Sequence, residues 1–231
     1  MNKNLVEYSS SICILGPISV GKSTLIKKFE SILVEQNPGS EGILVQPSIM
    51  AELTRVLIPV QGDKKLRTLI TDTPGMKKLF NAIPPNILRN HTAYIVVYDM
   101  TDRETFKDIK EWFGPVKEYA GSFSEIVLLA NKNDDPSRRV VSQEEGMQLA
   151  LLMNAKYFET SSKTGNNVSE LFTTISNNII NKVKFGTLNV NNPQSGLKWI
   201  SGMQAEGSSG DERLRVDKSA GSSTSTTGCC W

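Results

Sequence analysis

Apolar residues fall along this chain in two kinds of run that alternate. Ser11-Ile12-Cys13-Ile14-Leu15 and Ile126 to Ala130 are short and apolar enough to read as strands, and Ala93-Tyr94-Ile95-Val96-Val97-Tyr98-Asp99 is apolar almost without a break, as a central strand covered on both faces should be. Between them the period changes. Thr24 to Leu33 has helical spacing, Arg103 to Tyr119 puts Phe106, Ile109, Trp112 and Phe113 on one face, and Gln143 to Met153 and Val168 to Val183 are two further helices around the short strand Lys156 to Glu159. Glu52 to Val60 and Lys65 to Thr71 alternate or are β-branched and are separated by Gln61-Gly62-Asp63-Lys64, which predicts a hairpin. Two stretches break the pattern: Glu35 to Gly42 is a long polar loop ending near Gln46-Pro47-Ser48-Ile49, and Met76 to Asn90 is a loop with an imperfect helix. Strands alternating with helices predict an α/β domain, a mostly parallel sheet between helix layers that binds ligands where the strands end.

Beyond Lys184 the periodicity is lost and Asn, Gly, Ser, Thr and Gln dominate. Such a segment buries too little apolar surface to offset the entropy of ordering it, so residues 184–231 are expected to be a disordered tail behind a globular domain at 8–183. Within the tail Leu197, Trp199 and Ile200 form an apolar island, either a docking point for a partner or an unstructured cluster. Its five basic residues are matched by four acidic ones, which argues against a polybasic membrane signal.

Composition narrows the class. The net charge of +2 over 231 residues, with both signs scattered, points to no nucleic acid or strongly acidic partner. No segment approaches the roughly 20 apolar residues of a membrane span, and the N-terminus lacks a signal-peptide core, so the domain is expected in the cytosol. Cys13 falls in a strand expected to be buried and Cys229 and Cys230 are adjacent near the end, an arrangement from which no disulfide framework can be drawn.

The chemistry starts at Gly16-Pro17-Ile18-Ser19-Val20-Gly21-Lys22-Ser23, between a strand and a helix. The spacing G-x-x-x-x-G-K-S lets an open turn aim its backbone N–H groups at phosphate oxygens while the next helix contributes its positive end. Gly16, Ser19, Val20, Gly21 and Thr24 belong to this cradle. Lys22 is placed to neutralise the terminal phosphates, and the Ser23 hydroxyl to bind a magnesium ion bridging them. A phosphate loop does not choose the base. Asn131-Lys132-Asn133-Asp134, at a strand end, fits N-K-x-D. The Asp134 carboxylate can accept from both N1–H and the exocyclic amine of guanine, a donor pair that adenine does not present. Asn131 is placed to tie neighbouring loops together, and the Lys132 stem to lie along the ring. In Thr160-Ser161-Ser162-Lys163 the backbone N–H of Ser162 is placed to meet guanine O6. Asp134 and Ser162 together argue against an ATP-dependent P-loop kinase.

With these motifs in this order, residues 8 to 183 resemble the small GTPases of the Ras superfamily and, within them, the Rab branch. Tyr94 to Asp102 with Glu104-Thr105-Phe106, and Glu159 to Val168, carry the resemblance most strongly. It implies a three-layer P-loop NTPase fold, a six-stranded mostly parallel sheet flanked by five helices. It also implies a monomeric switch binding GTP or GDP with Mg²⁺, met by effectors, an exchange factor and an activating protein. The ending Gly228-Cys229-Cys230-Trp231 places Gly, not Cys, where a C-a-a-X box needs its cysteine. In this family a terminal Cys pair implies two geranylgeranyl groups on Cys229 and Cys230, and a protein cycling between cytosol and the cytoplasmic face of an intracellular membrane. Ser48 matches the Thr that binds magnesium, after a longer loop than is usual. Asp72-Thr73-Pro74-Gly75-Met76 matches D-T-A-G-Q, so Asp72 can hold magnesium through water and the Gly75 amide can reach the γ-phosphate. Met76, however, stands where the family keeps the Gln that orients water, and has no group able to do so. Ile18 crowds a phosphate-loop position that small residues leave open. The expectation is a trafficking GTPase with slow intrinsic hydrolysis; the alternative is a nucleotide-loaded scaffold that recruits effectors without useful hydrolysis.

Overall fold

The strands and helices fall where the two periods place them. The structure, a computed structural model, describes residues 6–36, 44–47, 51–62 and 64–200. In chain order the main elements are β1 (Val6–Leu15), α1 (Lys22–Gln36), β2 (Leu44–Pro47), β3 (Glu52–Val60), β4 (Lys64–Asp72), two four-residue helices α2 (Lys77–Phe80) and α3 (Pro85–Leu88), then β5 (Ala93–Asp99), α4 (Arg103–Tyr119), β6 (Glu125–Asn131), α5 (Gln143–Leu152), β7 (Lys156–Glu159), α6 (Val168–Lys184) and β8 (Lys198–Trp199).

One sheet of order β2-β3-β4-β1-β5-β6-β7 runs through the domain, with β8 on β1. The β1 pairings with β4 and β5, and those of β6 with β5 and β7, are parallel, while the β3–β4 hairpin, β2 and β8 pair antiparallel. β5 is buried along its whole length, as its continuous apolar run requires. Alternate residues of the other strands feed two cores. Ile12, Ile14, Val56, Ile58 and Ile70 pack under α1 and α6, where Phe29 and Phe172 stack with centroids 4.1 Å apart. Cys13, Leu15, Val96 and Tyr98 pack under α4 and α5. Helix ends are fixed locally: Asp102 accepts from the Glu104 N–H ahead of α4, and Ser142 and Glu145 form a reciprocal capping box at α5.

The α/β architecture is as expected, with two strands added to the six. β2 zips Leu44–Pro47 onto the free edge of β3, and the apolar pair Leu44-Val45 within a stretch read as loop suits that pairing. β8 belongs to residues 185–199, which composition alone assigns to the tail. This segment turns back from α6 and buries Leu188 and Leu197 in the α1/α6 core. Trp199 and Lys198 then pair with Tyr8 and Ser9, a part of β1 that β5 is too short to reach. The apolar island thus docks on its own domain.

Candidate functional site

Three loops converge at the C-terminal ends of the parallel strands. The phosphate loop leaves β1 through Gly16, at φ +143°, where a Cβ would lie 2.3 Å from the Val97 carbonyl oxygen, so only glycine lets the turn pass over β5. Ser19 takes a left-handed φ of 64°, Val20 is fully buried and anchors the turn, and Gly21 receives the first α1 bond from Leu25. Ser23 and Thr24 open the helix from its exposed side. Lys22 is buried, and its Nζ donates to the Gly16 and Pro17 carbonyls at 2.9 and 2.8 Å, which holds the ammonium under the loop. Burial pulls the Lys22 pKa down to about 8, against an upward pull from Asp72.

That shift fixes a sign for nucleotide binding. A phosphate over Lys22 needs the ammonium form, so binding takes up a proton wherever the unbound lysine is partly neutral. Affinity for GDP is therefore expected to fall as pH rises through 8, by about fourfold between pH 7 and 8.5 for a group that titrates there. Isothermal titration at the two pH values in buffers of different ionisation enthalpy measures it; pH-independent affinity without proton uptake would contradict the assignment.

Beside Lys22, Ser23 Oγ donates to Asp72 Oδ2. Asp72 is buried, and its other oxygen, Oδ1, has no hydrogen-bond partner. Burial pushes this carboxyl up, partly offset by Ser23 and Lys22. An exposed hydroxyl set against a buried carboxylate with an unspent acceptor is a donor set that a hard divalent cation takes, so the residues fit Mg²⁺. Gly75 closes the site: a Cβ there would stand 2.6 Å from Ile18 Cα and N and 2.7 Å from Lys22 Nζ. The Gly75 backbone therefore lies directly on the phosphate loop. Next to this contact Ile18 and Met76 are 61 % and 51 % exposed, two apolar side chains left in water at the rim.

The base-binding side is organised by Asn131. It is fully buried, and its Nδ2 donates to the Val20 carbonyl at 2.8 Å while its Oδ1 accepts from Ser162 N, Ser162 Oγ and Thr160 Oγ1 at 3.1, 2.9 and 3.2 Å. The side chain thereby joins the phosphate loop to the 160–163 loop. Asp134 Oδ1 accepts from Ser161 Oγ at 3.2 Å, and its Oδ2 lies 3.5 Å from Lys163 Nζ. Lys132, with φ at 71°, swings its ammonium to Asp99 at 2.8 Å, and that contact stretches its stem across the strand ends. The structure brings these residues together at the strand ends, but the Ser162 N–H, expected from the sequence to meet guanine O6, donates here to Asn131 Oδ1. Ser48, Cys229 and Cys230 lie outside the described residues.

Asp99 and Thr160 are the residues of the site that sequence reasoning passed over. Burial works against the Asp99 carboxylate, but Lys132 and Thr101 outweigh it and hold its pKa below the usual range. A charged residue ending an otherwise apolar strand was the available signal, since it needs a partner once buried.

A phosphate-loop turn between β1 and α1, a hydroxyl–carboxylate pair able to hold a cation, and the Asn131 and Ser162 loops tied to that turn define a P-loop nucleotide-binding domain. The Ras family matches residues 11–181 of the chain. The chain is 29 % identical to the human Ras-related protein Rab-39A over 192 residues, covering 83 % of this chain and 87 % of that protein. It is 32 % identical to the Caenorhabditis elegans Ras-related protein rab-39 over 201 residues, 84 % of this chain and 83 % of the relative. The protein belongs to the Ras family, as a Rab-type small GTPase. Among the described residues no helix is long and apolar enough to cross a membrane.

Proposed function

We propose that this protein is a lipid-anchored guanine-nucleotide switch in membrane trafficking whose own hydrolysis of GTP is slow. The observation that supports the slow step is the rim around Gly75, where Ile18 and Met76 stand exposed and neither can donate to or accept from a water molecule. In this reading the loop N–H groups and Lys22 hold the phosphates, and the Gly75 amide, resting on Ile18, senses the γ-phosphate. Ser23 and Asp72, with Ser48, would hold Mg²⁺, which would neutralise charge on the phosphates. Asp134, Ser161, Ser162 and Lys163 read the base, and Asn131 and Lys132 position that reading. Effectors, an exchange factor and an activating protein act on the switch segments of the monomer. Single-turnover hydrolysis by preloaded protein tests the reading. Phosphate release at the rate of relatives that keep the Gln would overturn it, whereas release too slow to measure even with an activating protein would leave the scaffold alternative standing.

Anchoring is assigned to Cys229 and Cys230. One lipid chain gives marginal, reversible attachment, and the tail, with five basic residues against four acidic ones, is too near neutral to help much, so both chains are needed for stable residence at the cytoplasmic face of an organelle. Either Cys→Ser single variant is expected to shift most of the protein to the cytosolic fraction. Mass spectrometry of the C-terminal peptide from cells checks the modification directly, and an unmodified Cys pair would remove the anchor from the proposal.

A further inference from the structure

Four features meet at the end of the sheet away from the phosphate loop. Tyr8, Val60, Ile180 and Val183 line a cavity of about 200 Å³ rimmed by Lys64, Lys65 and Lys184. Phe185, directly after α6, is 81 % exposed, and Trp199 is 57 % exposed with its ring edge-on to Tyr8 at 5.0 Å. β8 runs antiparallel to β1, so the described residues end with Ile200 at this same end of the sheet, opposite the phosphate loop. Roughly 30 residues of Ser, Gly and Thr-rich chain then separate Ile200 from Cys229.

Each feature has an ordinary explanation alone, and together they describe one chemistry. Exposed aromatic rings beside lysines suit a bilayer interface, where the rings seat among head groups and the ammonium groups meet lipid phosphate and carboxylate. The basic residues here are not all engaged within the fold. Lys182 and Lys156 are bound to Glu125 at 2.6 and 2.8 Å, and Lys182 also donates to the Phe123 carbonyl, whereas Lys184 stands exposed at the C-terminal end of α6. We propose that this nucleotide-distal face, built from Lys65, Lys184, Phe185 and Trp199 around the Tyr8 cavity, docks on an anionic lipid bilayer.

The face does what the tether cannot. Lipid on Cys229 and Cys230 would keep the domain near a membrane, but a point of attachment about 28 residues past Ile200 does not fix which side of the domain faces it. Seating the Phe185–Trp199 end on the lipid turns the phosphate loop outward. The inference uses the anchoring reading only for the reason a membrane is nearby, and the binding itself needs no lipid on the protein.

The test uses the full, unlipidated chain with vesicles of phosphatidylcholine alone or with phosphatidylserine, followed by co-sedimentation at low salt. Binding is expected only with phosphatidylserine and is expected to be lost as salt is raised. Lysine contacts of this kind contribute enough that each one removed lowers affinity about fivefold, so Lys65→Ala with Lys184→Ala is expected to weaken binding by about 25-fold while leaving GDP affinity unchanged. In a Trp231→Phe background, where Trp112 is buried, brominated lipid is expected to quench Trp199. Equal binding to both vesicles, an unaffected double variant or an unquenched Trp199 each overturns the docking face. An unmodified Cys pair in cells alongside phosphatidylserine-dependent binding would remove the anchor and leave this face in place.

Discussion

Replacing Asp134 by Asn is expected to cut GTP affinity by about 10²–10⁴-fold and to give xanthosine triphosphate the advantage. The carboxylate accepts from Ser161 Oγ on one oxygen and lies near Lys163 on the other, which leaves it lone pairs for two further donors. Two hydrogen bonds from guanine to a charged acceptor are each worth roughly 1.5–3 kcal/mol, and an amide turned into the same place offers N–H where guanine also offers N–H. Xanthine carries a carbonyl at that position, which an amide can satisfy. Competition binding with the two triphosphates measures the exchange. An Asp134→Asn variant that keeps its GTP affinity would mean that this loop does not read the base.

The second large effect concerns hydrolysis. Met76→Gln is expected to raise the intrinsic single-turnover rate by roughly 10–10²-fold, the scale on which loss of orientation costs a reaction. Ile18→Gly is expected to matter more when an activating protein is present. Gly75 sits directly against the Ile18 backbone, and the Ile18 side chain stands exposed beside that contact, where it would crowd an inserted group. An inserted arginine is worth roughly 10³–10⁵ in rate, so obstructing it outweighs the intrinsic defect. The two substitutions, made singly and together and followed by phosphate release, separate the contributions. If the unaltered protein already matches the double variant, some other residue positions the water.

How far the sequence could be read depended on whether a feature was local. Lys22, Ser23 and Asn131 stand at fixed offsets in short motifs between a strand and a helix, and the structure puts them together because strand ends of a parallel sheet are neighbours by construction. The α4 face of Ile109, Trp112 and Phe113 was equally legible, since 3.6-residue spacing is a property of the helix itself. The segment after Lys184 was not. Leu188 and Leu197 are too far apart in the chain, among Asn, Pro and Ser, to show any period, and what orders them is a core surface supplied largely by distant parts of the chain. Likewise β2 exists because β3 offers an unpaired edge, which composition does not record. Asp99 was hidden for a related reason: its meaning lies in Lys132, a residue from the neighbouring strand end.

Asn131 bears on how nucleotide is let go. Its single amide holds the Val20 carbonyl with one end and Ser162 with the other, so it sets the distance between the phosphate loop and the loop proposed to hold the base. A ligand held at two points is retained because, when one grip slips, the other keeps it at high effective concentration for rebinding. That advantage vanishes when the span between the grips no longer matches the ligand. A partner that pried Val20 away from Asn131 would therefore turn slow release into fast release without competing for the base or the phosphates.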